Sequence, residues 1–384
     1  MASCQPSVAF LQQCTVCAKL FSVNDSHDGA GEEKPRHTPR KTASLATLSA
    51  HLGLSAAAIS RVLNGAPAAR SIPRATQERI FEAARQFNYR PNVLARSLRR
   101  GRSMTLGVLV PEFSEGYAAL VLSGLEQGLL QAGYFFFLIS HHHRADVIER
   151  SQTMLADRAV DGLVAIDTAL PRHLHIPTVT VSCPDEHEGF TNIMLDHDRA
   201  ADLAIGYLAG LGHRHIAFIK GQSFSSDTER RWNAIRDAAA RLRIPFESGL
   251  VTQLEGDAPT HEPGYFAAQR LLASGQPFTA LFAFNDISAI GAVRALREAG
   301  LHVPEDVSVV GFDDIQSAAY QNPSLTTVRQ PLFKMGLLAA ETLVRQIEDG
   351  ATHKPAKALK VDPELVVRES CGPAAALPRR RTKA

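Results

Sequence analysis

Leu48 to Gly65 reads LSAHLGLSAAAISRVLNG, and this stretch decides the first part of the fold. Leu48 and Leu52, then Ile59, Val62 and Leu63, recur at helical spacing on either side of Gly53, whose missing Cβ permits a tight turn. Ser55 stands where an N-cap belongs, as does Ser44 ahead of Leu45. A third apolar burst follows at Ile80, Phe81, Ala84 and Phe87, so the pattern predicts three short helices between Ser44 and Tyr89. With Ile59, Val62 and Leu63 turned to a small core, Ala56, Ala57, Ser60 and Arg61 are left on a face that can enter a DNA major groove.

Charge is distributed to match. The 384 residues carry a net charge of only +2. Lys41 to Arg102, however, holds eleven basic side chains against Glu78 and Glu82, a net of +9, and the tail from Leu377 adds +4. Residues 1–40 balance, which leaves 103–376 at −11. A basic module joined to an acidic body is the electrostatic footprint of a polyanion-binding domain, because each neutralised phosphate releases a counterion.

Beyond Gly101 the texture changes. Strand-like runs at Thr105–Val110, Tyr134–Ile139, Ala159–Ile166, Thr178–Val181, His215–Ile219, Ala280–Phe284 and Val307–Val310 alternate with stretches of helical periodicity, the first from about Tyr117 to Ala132. This alternation predicts parallel sheets with helices on both faces. Five cysteines form no disulfide framework, and the one C-x-x-C, Cys14 and Cys17, lacks the partners of a zinc set. Residues 1–42, polar and Gly/Pro-containing from Ser22 onward, read as a flexible extension without the features of a secretion signal. No apolar run is long enough for a membrane span, and G-x-S-x-G, Walker and H-E-x-x-H sequences are absent, which argues against an enzyme.

Leu54, Ser55, Ile59, Ser60, Arg61, Val62, Leu63 and Asn64 match the recognition-helix string of the LacI family of repressors, and the chain resembles that family from about residue 43 onward. The resemblance implies a sequence-specific DNA-binding regulator. Its DNA contacts would come from Ser55, Ala56, Ala57, Ser60, Arg61 and Asn64 in the helix-turn-helix domain (43–91), and from Asn92, Arg96 and Leu98 in a hinge helix (92–102). Arg61 can read a guanine edge or clamp a phosphate. Two alanines at the positions that usually set sequence preference offer only methyl contacts, and Leu98 falls where the family wedges a leucine between base steps. Between Asn64 and Ile72 the loop is about three residues longer than the family's usual one, which puts Arg70 within reach of a phosphate.

The strings GVLVPEFS, VDGLVAI, LGHRHIAFIKG, FAFNDISAIGAVRALREAGLHVPEDVSVVGFDD, PSLTTVRQP and ELVVRES resemble the family's two-lobed core, which shares the fold of periplasmic sugar-binding proteins. The expected architecture is therefore α plus α/β: three helices and a hinge, a two-lobed effector-binding and dimerisation domain over 103–372, and a basic tail over 373–384. Tyr117, Arg231, Asn285 and Asp313 carry over as effector-binding residues, while Asp286 and Asp314 read as helix caps. Ser182 stands where many members have Asp, and Ile166 where some sugar binders have Asn, so the ligand departs from a typical hexose. His141 to His143 read as a solvated loop rather than a metal site. The resemblance implies operator DNA, a small polar effector such as a sugar derivative, a homodimer and a cytoplasmic location, with no cofactor, metal or membrane.

Overall fold

The computed structural model describes residues 43–89, 101–112, 116–170, 174–183, 190–350 and 358–375. The expected extension at 1–42, the hinge residues Asn92, Arg96 and Leu98, and most of the basic tail lie outside the described residues. The chain divides into two compact units, Met1–Asn92 and Val93–Ala384.

In the first unit α1 (Leu45–Leu52), α2 (Ala56–Leu63) and α3 (Arg74–Gln86) enclose Leu48, Ile59, Val62, Ala69, Ile80 and Ala83. Both serine caps form. Ser44 Oγ accepts from the Thr47 N–H in a reciprocal capping box, and Ser55 Oγ accepts from the Ala58 N–H at 3.2 Å. Gly53 adopts φ 66° and its N–H bonds the Ser49 carbonyl, a left-handed C-cap that a residue with a Cβ would strain. The loop expected between Asn64 and Ile72 is a short 3-10 helix over Pro67–Ser71. Its carbonyls at Ala69 and Ile72 are held by the Gln77 amide at 3.0 and 2.8 Å.

The second unit holds two six-stranded sheets. The first sheet comprises β1 (Thr105–Val110), β2 (Phe135–Ser140), β3 (Leu163–Ile166), β4 (Thr178–Val181), β5 (Thr191–Leu195) and the late strand β11 (Ala358–Val361), in the order β11-β5-β4-β3-β1-β2 and parallel throughout. In the second, β6 (Ile216–Lys220), β7 (Val251–Gln253), β8 (Ala280–Ala283), β9 (Ser308–Asp313), β10 (Thr326–Arg329) and β12 (Glu364–Val366) run β12-β10-β9-β8-β6-β7, with β12 alone antiparallel. β3, β4 and β5 are buried along their whole length, as parallel strands covered on both faces must be. Each sheet with its helices forms a lobe, and because β11 and β12 return to opposite sheets the chain crosses between lobes more than once.

Helices follow most strands: α4 (Tyr117–Gln131), α5 (Ala145–Asp157), α6 (His197–Gly210), α7 (Asp227–Arg241), α8 (Glu262–Ala273), α9 (Asp286–Glu298), the short α10 (Gln316–Ala319) and α11 (Leu332–Asp349). α4 and α11 pack backbone to backbone. A Cβ at Gly124 would overlap the Phe333 carbonyl, and one at Gly336 the Val121 carbonyl, so glycine is required on both sides of this crossing.

Candidate functional site

Two regions carry the chemistry. In the first unit α1 and α2 turn through 110° about Gly53, within the range of a helix-turn-helix. The Ser49 hydroxyl donates to the Leu54 carbonyl at 2.6 Å and ties the turn down. Ser55, Ala56, Ala57, Arg61 and Asn64 are exposed. Ser60 is not: at 8 % exposure it lies on the inner side of α2, which corrects its placement on the outward face. Helical geometry explains this, since Ser60 follows the buried Ile59 and sits one turn after Ala56, at the edge of the core stripe. The Asn64 amide is committed locally, donating to the Ser60 carbonyl at 2.7 Å and its Oγ at 3.2 Å, which leaves the Asn64 Oδ1 available. Arg61 and Arg70 project into solvent.

In the second unit the C-terminal ends of both sheets line a cleft of about 920 Å³, part of it open to solvent. Tyr117, Arg231, Asn285 and Asp313, from four separate elements, all line it. Arg231 is 4 % exposed, in the second turn of α7. Its guanidinium stacks on Phe312 at 3.7 Å and on Phe284 at 4.4 Å, donates to the Phe284 carbonyl, and lies 3.5 Å from Asp227. Its Nε is buried with no hydrogen-bond partner. Asp313 ends β9 with φ 110°, and its Oδ1 accepts from the Gln330 amide at 2.6 Å. Burial raises its pKa to about 6, against the pull of Arg231 and Gln330. The Tyr117 hydroxyl sits beside Ser182 Oγ, neither in a hydrogen bond of good geometry. Burial, and then Asp227, hold the phenol well above its ordinary value.

Asn285, not Asp286, is the helix cap. Asn285 is the N-cap of α9, accepting from the Ser288 N–H at 2.9 Å, while lining the cleft. Asp286 is fully buried and caps nothing: its two oxygens accept from Thr327 Oγ1 at 2.6 Å and the Ile315 N–H at 2.9 Å, joining β10 to the chain after β9. Asp314 is likewise no cap. It is gripped by Arg368 at 2.6 Å and Arg329 at 2.7 Å. Of the histidine run only His142 is solvated. His141 is buried against Thr168 at 2.8 Å, its pKa lowered by burial to about 4, and His143 lines the cleft with its ring 4.1 Å from that of Phe224. Among the described residues no cluster of His, Cys, Asp or Glu could hold a metal.

Sequence reasoning missed Asp167 and Asp227. Asp227 opens α7, and its Oδ1 lies 3.2 Å from His197 Nε2. Burial acts to raise its pKa, but His197 and Arg231 overcome this and the net shift is downward. Asp167 follows β3 with φ 43°, and its Oδ1 accepts from the Ser226 N–H at 3.0 Å and from the Ser226 hydroxyl. Burial raises its pKa to about 7, with Ser226 acting in the opposite direction. His143, Asp167 and Asp313, which line this cleft, and Ser182, whose carbonyl accepts from the Ser226 hydroxyl, all hold positive φ, a concentration of strained backbone that belongs to functional sites.

Residues 205–371 match the family model for a periplasmic binding protein-like domain. The chain is 32% identical over 328 residues to the HTH-type transcriptional repressor PurR of Aliivibrio fischeri (strain MJ11), covering 83% of this chain and 95% of the relative. It is also 32% identical over 338 residues to PurR of Edwardsiella ictaluri (strain 93-146), covering 85% and 96%. Among solved structures, the transcriptional regulator CelR in complex with cellobiose is similar at 29% identity with a TM-score of 0.63, covering 85% of this chain and 99% of that one. The lac repressor dimer bound to operator and an anti-inducer shares the fold, with a TM-score of 0.77 at 24% identity, covering 86% of this chain and 100% of that one. No single helix among the described residues is long and apolar enough to cross a membrane. With a relative this similar over nearly its whole length, the chain belongs to the LacI family of helix-turn-helix transcriptional repressors, and is a regulator rather than an enzyme.

Proposed function

We propose that this regulator acts in the cytoplasm as a homodimer, each protomer reading half of a near-palindromic operator through α2 and the hinge, and that a small polar effector held by Tyr117, Arg231, Asn285 and Asp313 sets its operator affinity. The observation that carries the reading is Arg231. A guanidinium stacked on two phenyl rings, with a buried Nε that no described residue satisfies, stands ready for an acceptor on a bound molecule. On the DNA side, Arg61 supplies the base or phosphate contact, Ala56 and Ala57 offer methyl surface, and Ser55 and Asn64 border them. Asn92, Arg96 and Leu98 complete the half-site from the hinge. Domain limits follow this division of labour: 1–42 extension, 43–91 reading head, 92–102 hinge, 103–372 effector core and 373–384 tail.

The experiment is capture of genomic fragments by the purified full-length protein, followed by footprinting and operator titration across a salt series. The expected result is a protected near-palindrome with affinity falling steeply as salt rises, because the basic module displaces counterions. Protection of isolated half-sites, or affinity indifferent to salt, refutes the dimeric operator reading.

A further inference from the structure

The carboxylates of the cleft outnumber its cations. Glu112, Asp167, Asp227, Asp257 and Asp313 line it, against Arg231 as the one guanidinium among the described lining residues. Most of these acids are already occupied. Asp227 is held by His197 and Arg231, Asp313 by Gln330, and Glu112 lies 3.6 Å from His143 Nε2, while Asp257 stands in solvent. Asp167 differs. Both of its donors, the Ser226 N–H and hydroxyl, arrive at Oδ1, and Oδ2 receives no hydrogen bond from the described residues. The Ser226 hydroxyl proton is moreover shared between Asp167 and the Ser182 carbonyl. One carboxylate oxygen at the wall of the cleft is thus left for a donor that the described residues do not supply.

A second observation points the same way to a bound molecule: the buried, unpartnered Nε of Arg231, 4 % exposed, in the same cavity. Arg231 asks for an acceptor and Asp167 for a donor. A phosphate or carboxylate would satisfy only the arginine, and would be placed in a partly dehydrated cleft among carboxylates, where the one guanidinium of the described lining residues is already paired with Asp227.

We infer that Asp167 is a specificity-determining residue of the cleft, accepting a hydrogen bond from an effector hydroxyl or ammonium group through Oδ2 and turning away the anionic derivatives of the same compound. This rests on the reading of the cleft as the effector site and deepens it by naming the chemistry admitted. The position was invisible as a ligand contact in sequence because its partner Ser226 lies 59 residues away.

The test uses matched probes on the full-length protein: glucose, glucosamine and glucose 6-phosphate; ribose and ribose 5-phosphate; adenosine and adenosine monophosphate. Each is titrated by calorimetry, at a pH well above 7 where the Asp167 carboxyl is ionised, into the parent, Asp167→Asn and Ser226→Ala, with melting curves as the folding control. In any set that binds, the uncharged or amino member is expected to bind at least about tenfold more tightly than the phosphorylated one, the ratio about 1.4 kcal/mol gives. Asp167→Asn removes the charge but keeps an acceptor for Ser226, and is expected to collapse that ratio toward unity. Ser226→Ala removes a hydrogen bond but no charge and is expected to keep it. The order of glucose and glucosamine separates a hydroxyl from an ammonium donor. A phosphorylated probe that binds as tightly as its parent compound, or a ratio unchanged in a folded Asp167→Asn protein, overturns the assignment. If a probe binds the cleft with the expected ratios yet leaves operator affinity unchanged, regulation through the cleft is what fails, and the role of Asp167 stands.

Discussion

The two recognition regions of this protein use charge in opposite ways. On the helix-turn-helix unit the arginines Arg61, Arg70, Arg74, Arg79 and Arg85 are all exposed, and the only ion pair among these arginines, Arg74 with Glu78 at 3.7 Å, is solvent-washed and weak. In the cleft Arg231, Asp227 and Asp313 are each at most 6 % exposed, with Arg231 3.5 Å from Asp227 and its charge acting on Asp313. Exposed cations suit a polyelectrolyte whose position along the helix axis must be searched, since they attract at long range and are screened by salt. Buried, pre-aimed groups suit a small molecule that must be told from its near relatives, since unsatisfied partners there are costly.

The largest expected effect is at Arg231. Arg231→Ala leaves Asp227 with His197 alone in a buried setting, so it should lower stability by about 3 kcal/mol. It should also abolish the effector response while leaving effector-free operator affinity nearly unchanged. Because a melting defect would blur that result, Arg231→Lys serves as the second variant: it retains the charge and loses the Nε and the planar stacking. Operator titration of both proteins with and without effector checks the separation. A folded Arg231→Lys protein with a normal response would break the comparison at its strongest point.

Next comes pH. The Asp313 carboxyl is raised from 3.8 to about 6 in the folded chain, so the folded state binds its proton more tightly than the unfolded state does. Its contribution is therefore not stabilising at neutral pH: the cost is absent below about pH 4, accumulates as pH rises through 6, and is constant above that. At about 1.4 kcal/mol per pKa unit the cost reaches about 3 kcal/mol. Asp313→Asn should remove this pH-linked component, so the stability of the variant relative to parent should rise between pH 4 and 7. Melting curves of the two proteins in parallel test this, and a difference independent of pH contradicts the burial argument.

Arg61→Ala should cost operator affinity about 1–3 kcal/mol and relax discrimination at one base pair per half-site, with no change in effector binding, because Arg61 is exposed and makes no contact that holds the fold. Titration against operators altered at single positions reads both quantities. A uniform loss across all operator variants reassigns Arg61 from base reading to a phosphate contact.

Much of this was legible in sequence where the signal is local. Ser44 and Ser55 cap α1 and α2 because a cap bonds a group three residues away, and Thr105–Val110 and Thr178–Val181 read as strands because they are short runs rich in Val and Thr, all four residues of the second being β-branched. Three-residue strands such as β7 and β12 carry no period to detect. Arg231, Asn285, Asp313 and Tyr117 came from family resemblance, and the structure brings them to one cleft. What stayed hidden depends on distant partners: Asp286 reads as a cap until Thr327 and the Ile315 N–H are found on its oxygens, and His141 reads as solvated until Thr168 covers it. Ser60 failed for a subtler reason. A helix of eight residues with core contacts at Ile59 and Val62 leaves Ser60 and Arg61 between them, and the small core of this unit claims the shorter Ser60 while Arg61 stays exposed.

The smallest expected effect separates the two regions by stability alone. Ser55 Oγ satisfies the Ala58 N–H, one of the four amide groups that the start of α2 leaves unpaired. Replacing Ser55 by Ala removes that acceptor and should cost the helix-turn-helix unit about 1 kcal/mol. Replacing it by Asp, which caps as well and adds an anion at the helix N-terminus, should retain the stability. In the proposed reading of DNA by α2 the same Asp would face phosphates, so it should weaken operator binding more than Ala does, whereas the cap argument alone ranks the two variants the other way. Amide exchange across α2 measures the first quantity and operator titration the second. If Ser55→Asp both restores protection of α2 and binds operator as the parent does, Ser55 serves only the fold and does not border the DNA.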